Sequence, residues 1–265
     1  MAKPILVIGD ICLDEYRYGL CRRICPEAPV PVFEPVQIQR SYGMAHNVYN
    51  NIKSLGGNVL LEQIPTTNIP TKTRFVDQVS NQILLRVDEN DRLERIKGLD
   101  KQKWELYSAV VISDYNKGYL HEEDIEYISK KHPITFMDTK KKISGIGGWA
   151  SNIKFIKINE KEYNENINNL EFFDNTLIVT LGDKGANIRI HNYDINEFEW
   201  FHVPLETEHA VRDLSGAGDT FLAGLVVHYM KNYKTFNAVK FANKAASYAV
   251  SKKGVVAVKL EEINK

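Results

Sequence analysis

Asp213-Leu214-Ser215-Gly216-Ala217-Gly218-Asp219-Thr220-Phe221 is the stretch that decides how this sequence is interpreted. Its two glycines allow a sharp turn whose N–H groups point at one spot, and the apolar run from Phe221 to Met230 predicts a buried helix. A helix N-terminus presents unpaired donors and partial positive charge to an anion. Asp219 would stand beside that anion, where a carboxylate can take a proton from a hydroxyl that attacks a phosphoryl group. A helix cap after a glycine turn is the alternative that this string alone leaves open.

Five predicted strands elsewhere in the chain each end at a polar group. The predicted strands 4–9, 109–113, 134–137, 153–158 and 177–181 lead to Asp10, Asp114, Asp138, Asn159 with Glu162, and Gly182 to Gly185. From Tyr107 onward these strands alternate with other segments in the βαβ manner, which predicts a mostly parallel sheet. Ligands of open α/β sheets bind at the carboxyl ends of the strands. The sequence therefore predicts an α/β fold with a site at one edge of its sheet.

A second, smaller sheet is predicted outside the first. Val30 to Val36 is typical of an edge strand because two prolines interrupt it, and 71–79 with 82–87 predict a hairpin. Lys72, Arg74 and Arg86 would place positive charge on this sheet, either as a solvated face or as a phosphate site. Between the two regions, 43–55 predicts a helix with Asn47 in its first turn.

The composition sets limits on the class of protein. The 265 residues contain 34 Lys and Arg against 34 Asp and Glu, which argues against a general nucleic-acid or membrane-surface binder. Three cysteines indicate a reducing compartment, and the first residues predict a strand and no signal peptide, so we expect a cytoplasmic protein. There is no G-x-x-x-x-G-K-[ST] string, and no G-x-G-x-x-G follows the first strand, which excludes a P-loop NTPase and disfavours a dehydrogenase.

The opening stretch resembles the signature D-x-[ST]-G-A-G-D-[TS]-F of the ribokinase/PfkB family of sugar kinases. Asn159-x-x-Glu162 resembles the N-x-x-E motif of that family, and 179–186 resembles its V-T-x-G-x-x-G segment, in the same order along the chain. The resemblance implies a single ribokinase-like kinase domain over residues 1–265. It further implies a three-layer sandwich with a mostly parallel central sheet and a small β-sheet lid built from about 13–37 and 71–90.

A narrower resemblance is to the D-glycero-β-D-manno-heptose-7-phosphate kinases of that family. It rests on segments 7–16, 23–32, 72–74, 84–88, 113–118 and 138–140. It implies transfer of the ATP γ-phosphoryl group to the anomeric hydroxyl of the heptose phosphate. Two departures stand out: His46 replaces an alanine in the string Gly43-Met44-Ala45-His46-Asn47, and only Asn58 to Pro70 separate the first helix from the hairpin. We therefore expect a changed sugar pocket and a shortened sheet.

The same resemblance assigns roles to individual residues. Asp219 would be the base, and the backbone of Gly216, Ala217 and Gly218 would hold the transferred phosphoryl group. ATP would bind through Asn159, Glu162, Thr180, Gly182, Gly185 and Asn243, with Glu162 acting on Mg²⁺ through water. The sugar would bind through Asp10, Asp14, Gly43 and Asn47, and its phosphate through Arg23, Lys72 and Arg86. Asp213 would belong to a monovalent cation site, with K⁺ as the expected ion.

Other interpretations stay open. One is a PfkB-type kinase for a different sugar, sugar phosphate or nucleoside, and another is a non-catalytic sugar- or nucleotide-binding relative. The outer sheet is a plausible surface for a homodimer, because unpaired strand edges invite partners. We also expect a separate nucleotidyltransferase in the pathway, since some heptose kinases carry that activity in a fused domain.

Overall fold

The computed structural model describes residues 2–62, 68–143, 148–170, 174–192, 194–206 and 209–263. Its strands are β1 Ile5–Gly9, β2 Ile11–Ile24, β3 Pro31–Met44, β4 Val59–Leu61, β5 Thr71–Asp77, β6 Ile83–Glu89, β7 Ala109–Asp114, β8 Thr135–Thr139, β9 Phe155–Asn159, β10 Thr176–Thr180, β11 Ala186–Asn192 and β12 Glu197–Val203. Its α-helices are α1 Ala45–Ser54, α2 Glu122–Lys131, α3 Glu160–Leu170, α4 Ala217–Asn232, α5 Thr235–Val250 and α6 Leu260–Ile263.

The main sheet has the order β12-β11-β10-β9-β8-β7-β1-β4. The six strands from β10 to β4 are mutually parallel, and the hairpin of β11 and β12 adds two antiparallel strands. Parallel strands buried on both faces are rich in β-branched residues, and β1 and β7 follow this rule with Ile-Leu-Val-Ile and Ala-Val-Val-Ile. The parallel arrangement places the ends of five predicted strands at one edge.

Helices cover both faces of this sheet. One apolar cluster joins α1, α4 and α5 to side chains such as Val7, Val111 and Phe136, and the other joins α2 to Leu6, Ile112 and others on the opposite face. Helix α4 is nearly all buried from Asp219 to Val227, so it is apolar on every side, as its sequence requires. The expected three-layer α/β sandwich is confirmed.

The small sheet has the order β3-β2-β5-β6; along the chain, β2 and β3 lie between β1 and α1, and β5 and β6 follow β4. Both of its first strands have 14 residues, much longer than the strand predicted at 30–36. Gly43 and Met44 end β3 although a helix was predicted there. Strand β2 was not predicted because it contains charged residues at consecutive positions. One of them, Glu15, is nevertheless buried, and its carboxylate accepts hydrogen bonds from Arg17 and Arg40 at 2.5 and 2.6 Å.

The short connection after α1 also differs from expectation. Val59–Leu61 forms β4, which pairs in parallel with β1, so a three-residue edge strand remains where none was predicted. Residues 63–67 of this connection lie outside the described part of the chain.

Candidate active site

Asp219 lies in the first turn of α4 and is 5% exposed. Each oxygen of its carboxylate accepts one side-chain hydrogen bond: Oδ2 from Asn47 Nδ2 at 2.8 Å and Oδ1 from the hydroxyl of Tyr115 at 2.7 Å. Burial raises the pKa of Asp219 to about 6, although the two hydrogen bonds favour the anion. The group is therefore largely ionised at neutral pH and has a higher proton affinity than an exposed aspartate, as a general base requires.

The turn before α4 brings three elements together. Gly216 caps the helix with φ +80°, and an ideal Cβ there would lie 2.8 Å from Asn47 Nδ2, so only glycine fits beside α1. A Cβ on Gly218 would lie 3.0 Å from Lys157 Nζ. The buried Lys157 ammonium, which binds Asp138 Oδ2 at 2.6 Å, thus adds positive charge to a helix start that already favours anions.

A cavity of about 610 Å³ opens on the other side of this turn. The structure brings six predicted residues to its wall: Thr180, Gly182, Gly185, Ala217, Gly218 and Asn243. Apolar side chains such as Leu205, Val211 and Leu214, which the sequence did not single out, line the rest of it together with His209 and Ser247. The volume and the mixture of apolar walls with few polar groups suit a nucleotide.

Asn159 and Glu162 form a reciprocal cap at the start of α3. Asn159 Oδ1 accepts the Glu162 N–H at 2.9 Å, and Glu162 Oε2 accepts the Asn159 N–H at 3.0 Å. The other oxygen of Glu162 binds the ammonium of Lys140, which is also 3.9 Å from Asp138 Oδ1. This Asp138 oxygen is buried without a hydrogen-bond partner in the described structure. Carboxylate oxygens of this kind fit Mg²⁺, which keeps most of its waters.

Asp10 is placed differently from the sugar-binding role that the sequence suggested. It is 1% exposed and accepts the backbone N–H groups of Tyr115, Lys117 and Tyr119 at 2.6, 3.2 and 3.3 Å. Burial, with Asp114 nearby, raises its pKa to about 6. These contacts tie Asp10 to the loop after β7, and direct contact with a sugar stays a prediction.

The small sheet, which the sequence predicted to be a lid, presents Asp14 and the cations Lys72, Arg74 and Arg86 on one face. Asp14 accepts Arg74 at 2.7 Å, lies next to Lys72 in register, and leaves no room for a side chain at Gly43, whose Cβ would be 2.5 Å away. Arg74 and Arg86 are paired in register across β5 and β6, and Arg86 binds Asp88 through two bonds of 2.7 and 2.6 Å. The face that carries Asp14 therefore also carries Lys72 and Arg86, as the predicted substrate side requires.

Arg23 is the one predicted substrate residue that the structure leaves far away. It is exposed near the end of β2, nine positions beyond Asp14, which corresponds to roughly 30 Å of strand. At this separation, the structure gives no support for Arg23 and Lys72 of one chain binding the same ligand, and a role for Arg23 in substrate binding stays a prediction.

Asp213 joins two turns beside the opening stretch. It accepts the N–H groups of Ser215 at 2.9 Å and Gly254 at 3.0 Å. Partial burial opposes ionisation, but these hydrogen bonds and the charge of Arg74 outweigh it and lower the pKa of Asp213. The described residues contain no group of three or more acidic, His or Cys side chains arranged for a metal ion. A monovalent cation beside Asp213 stays a prediction.

His46 does not point at the Asp219 carboxylate. Its ring lies against Tyr42 and Tyr49, with centroids 5.2 and 5.7 Å away, while Asn47 on the next position of α1 faces Asp219. The replacement of alanine is thus accommodated on a different side of the helix.

Three residues near the site were not assigned a role from the sequence: Tyr115, Lys140 and Lys157. Lysines and tyrosines are common at strand ends, so the sequence alone does not identify these residues as part of a site. Only their convergence on the same site in the structure does so. The segments 113–118 and 138–140, which contain Tyr115 and Lys140 and resemble the heptose kinases, were the sequence feature that could have identified these two residues.

Comparison with known proteins agrees with this geometry. Residues 60–262 match the model of the pfkB family carbohydrate kinases. The chain belongs to the PfkB family. It is accordingly a carbohydrate kinase, a phosphotransferase with an alcohol group as acceptor.

Among curated PfkB relatives, the Bifunctional protein HldE of a Nitratiruptor species is 31% identical. The match covers 99% of this chain but only 64% of the relative, so the chain spans less than two thirds of that protein. The alignment runs over 316 positions, 51 more than the 265 residues of the chain, so the relative has residues that this chain lacks.

Solved structures show the same fold. The Arabidopsis thaliana ribokinase complexed with ribose and ATP has a TM-score of 0.72 at 16% identity, covering 100% of this chain and 98% of that one. The Burkholderia thailandensis nucleoside kinase in complex with inosine has a TM-score of 0.71 at 16% identity, covering 98% and 96%. The ribokinase-like fold is therefore established. Among the described residues, no helix is both long and apolar enough to span a membrane.

Proposed function

We propose that this kinase phosphorylates the anomeric hydroxyl of D-glycero-β-D-manno-heptose 7-phosphate with ATP, giving the 1,7-bisphosphate. The observation that supports it best is the position of Asp219, held by Asn47 next to the lid while Ala217 and Gly218, two and one residues before it, line the large cavity. A phosphoryl donor in that cavity and a hydroxyl under the lid would meet at this carboxylate.

The proposed reaction is an in-line displacement. The sugar oxygen bonds to the γ-phosphorus, the bond to the bridging oxygen of ADP breaks, and Asp219 takes the hydroxyl proton. N–H groups at the start of α4 and the nearby ammonium of Lys157 would stabilise charge on the transferred group. Because the positive groups are fixed before substrate arrives, little reorganisation is needed during transfer.

ATP and Mg²⁺ fit the residues on the cavity side. The nucleotide would lie along the wall formed by Thr180, Gly182, Gly185 and Asn243, with the amide of Asn243 anchored by the Val203 carbonyl at 3.0 Å. Glu162 and the unpaired oxygen of Asp138 would hold Mg²⁺ through its waters, and the ion would neutralise phosphate charge. ATP as donor is consistent with the expected cytoplasmic location.

The lid cations support a phosphorylated acceptor. Within the described chain, Lys72 makes no ion pair shorter than 4.0 Å, while it lies in register between Asp14 and Asp88. Arg74, which is paired with Asp14, has a side chain that is only 14% exposed, so its charge is poorly solvated. Heptose is favoured over other phosphosugars because the HldE relative is a heptose-7-phosphate kinase and adenylyltransferase.

A different acceptor is the second candidate. Arg74 is already paired with Asp14 and Arg86 with Asp88, so of these two arginines and Lys72 only Lys72 lacks such a bond, which favours an unphosphorylated sugar or nucleoside. Carboxylates such as Asp14 bind sugar hydroxyls well in either case.

A panel of acceptors with an ATP-consumption readout tests both candidates. Heptose 7-phosphate should give the highest kcat/KM, and Asp219→Asn should lower kcat by roughly 10²–10⁴-fold with an unchanged ATP affinity. A higher kcat/KM for an unphosphorylated sugar would select the second candidate. Near-normal turnover by Asp219→Asn would remove the proposed base.

Three associated proposals extend this function. The lid has unpaired outer strands, β3 and β6, with exposed Ile38 and Leu85, and we place a homodimer contact there, to be tested by light scattering of the L85K variant. We also propose a separate nucleotidyltransferase in the same pathway. We propose a monovalent cation beside Asp213, with K⁺ as the ion, and we expect that replacing K⁺ by Na⁺ in the assay lowers kcat.

A further inference from the structure

Tyr115 makes the second hydrogen bond to Asp219, and the proposed reaction does not use it. The Tyr115 hydroxyl donates to Oδ1 while Asn47 donates to Oδ2. A carboxylate oxygen has two lone pairs, so each of these oxygens can still accept one further hydrogen bond. Two donors from different elements therefore fix the carboxylate plane and leave an acceptor position for a substrate hydroxyl.

Tyr115 is itself held firmly. Its backbone N–H donates to Asp10 Oδ2 at 2.6 Å, and Asp10 also anchors the next turns of the same loop through Lys117 and Tyr119. The Lys140 ammonium lies 5.8 Å from the centroid of the tyrosine ring. Burial raises the pKa of Tyr115 well above its usual range, so the phenol keeps its proton and acts as a donor at every working pH.

We infer that Tyr115 is a positioning residue whose hydroxyl orients the Asp219 carboxylate toward the attacking hydroxyl, while Asp10 holds the tyrosine in place. This inference rests on the proposed role of Asp219 as the base. Rotation about the last side-chain torsion of an aspartate has broad minima, so a carboxylate held by Asn47 alone would sample orientations that cannot accept the substrate proton.

Several charged groups face Asp219 and define the expected pH effect. Asp138 on β8 disfavours the anion, whereas Lys157 on β9 and Lys140 after β8 favour it. The hydrogen bonds from Asn47 and Tyr115 also favour the anion. Removing the Tyr115 hydroxyl leaves burial and Asp138 opposed by fewer groups, so the pKa of Asp219 should rise.

The test compares Tyr115→Phe with Tyr107→Phe. Tyr107 is a matched control because its hydroxyl also has a side-chain partner, Gln102 at 3.2 Å, in a part of the chain before β7. Tyr115→Phe should lower kcat about 10- to 100-fold with an unchanged KM for ATP, and should move the acid limb of the kcat profile to higher pH. Tyr107→Phe should match the wild type in all three.

A double-mutant cycle tests the link to Asp10. Asp10→Asn should lower kcat in the same direction, and the double variant should lose less than the product of the two single losses. Additive losses would overturn the role given to Asp10. Unchanged or higher kcat in Tyr115→Phe would overturn the role given to Tyr115, since a residue that only obstructs the base would raise kcat when shortened.

A readout without turnover separates this inference from the proposed function. Carbon-13 NMR of labelled aspartate carboxyls, assigned with Asp219→Asn, reports the titration midpoint of Asp219 directly. The midpoint should rise in Tyr115→Phe and stay unchanged in Tyr107→Phe. If the wild type is inactive but the midpoint still rises in Tyr115→Phe, the kinase proposal is refuted and the contact between Tyr115 and Asp219 is retained. If the enzyme is active and the midpoint is unchanged in Tyr115→Phe, the inference is overturned.

Discussion

Replacing Gly216 by alanine should damage stability and turnover together, and Gly98 provides a matched control. Both glycines have left-handed backbones, with φ +80° and +79°, and both precede a helical turn. A side chain in this conformation costs about 1–2 kcal/mol at either position. The surroundings differ: an ideal Cβ at Gly98 meets nothing within 4 Å, whereas at Gly216 it lies 2.8 Å from Asn47 Nδ2 and 3.2 Å from Val255 Cγ1.

The size of each effect follows from these contacts. Gly98→Ala carries only the backbone cost, which corresponds to about 2–8 °C in Tm for a protein of this size. Gly216→Ala must also displace Asn47, whose Nδ2 is 2.8 Å from Asp219 Oδ2. Because a hydrogen bond to a charged group contributes about 1.5–3 kcal/mol, we expect kcat to fall about 10- to 100-fold and Tm to fall further than in the control.

Thermal unfolding and steady-state kinetics of the two variants measure both effects in one preparation. The expected result is a shared loss of Tm, an additional loss in Gly216→Ala, and a lower kcat in Gly216→Ala alone. Equal Tm losses with wild-type kcat in Gly216→Ala would show that Asn47 is not displaced, and would refute the claim that glycine is required there for the contact with Asp219.

Three further predictions follow from the charges of the site. Because burial raises the pKa of Asp219 to about 6 and the base must be ionised, kcat should rise about tenfold per pH unit below pH 6 and level off above it, and a flat profile from pH 5 to 8 in a chemistry-limited assay would contradict this. The same pKa lies above the unfolded value of 3.8, so protonation of Asp219 favours the folded state, and the stability that this group contributes is lost as pH rises from about 4 through 6. Asp219→Asn should therefore raise the free energy of unfolding by up to about 3 kcal/mol at pH 7.5 and by much less at pH 4. Urea unfolding at the two pH values measures this difference. Lys72→Met and Arg86→Met should raise KM for a sugar phosphate far more than KM for ATP, with Arg23→Met as the distant control, and equal changes in both constants would indicate general destabilisation instead.

Much of the fold could be predicted from local sequence patterns. The buried strands β1 and β7 to β10 are mostly apolar, and their parallel order follows from the alternation with helices, so their common edge was expected before the structure. The lid strands β2 and β3 were predicted poorly, because their pattern depends on partners: the buried Glu15 is paired not only with the nearby Arg17 but also with Arg40, 25 residues later on the opposite strand.

The opening stretch shows the same division at the scale of single residues. By itself, the sequence from Asp213 to Phe221 determined a glycine turn, a buried helix and an acid in its first turn, because these depend on backbone freedom and apolar periodicity over a few residues. Tertiary structure alone decided which groups touch that acid. Asn47 and Tyr115 lie 172 and 104 positions away along the chain, and Lys157 reaches Gly218 from a neighbouring strand. Such contacts depend on how helices and strands are stacked, so no local pattern contains them, and they are what give Asp219 its burial, its hydrogen bonds and its raised pKa.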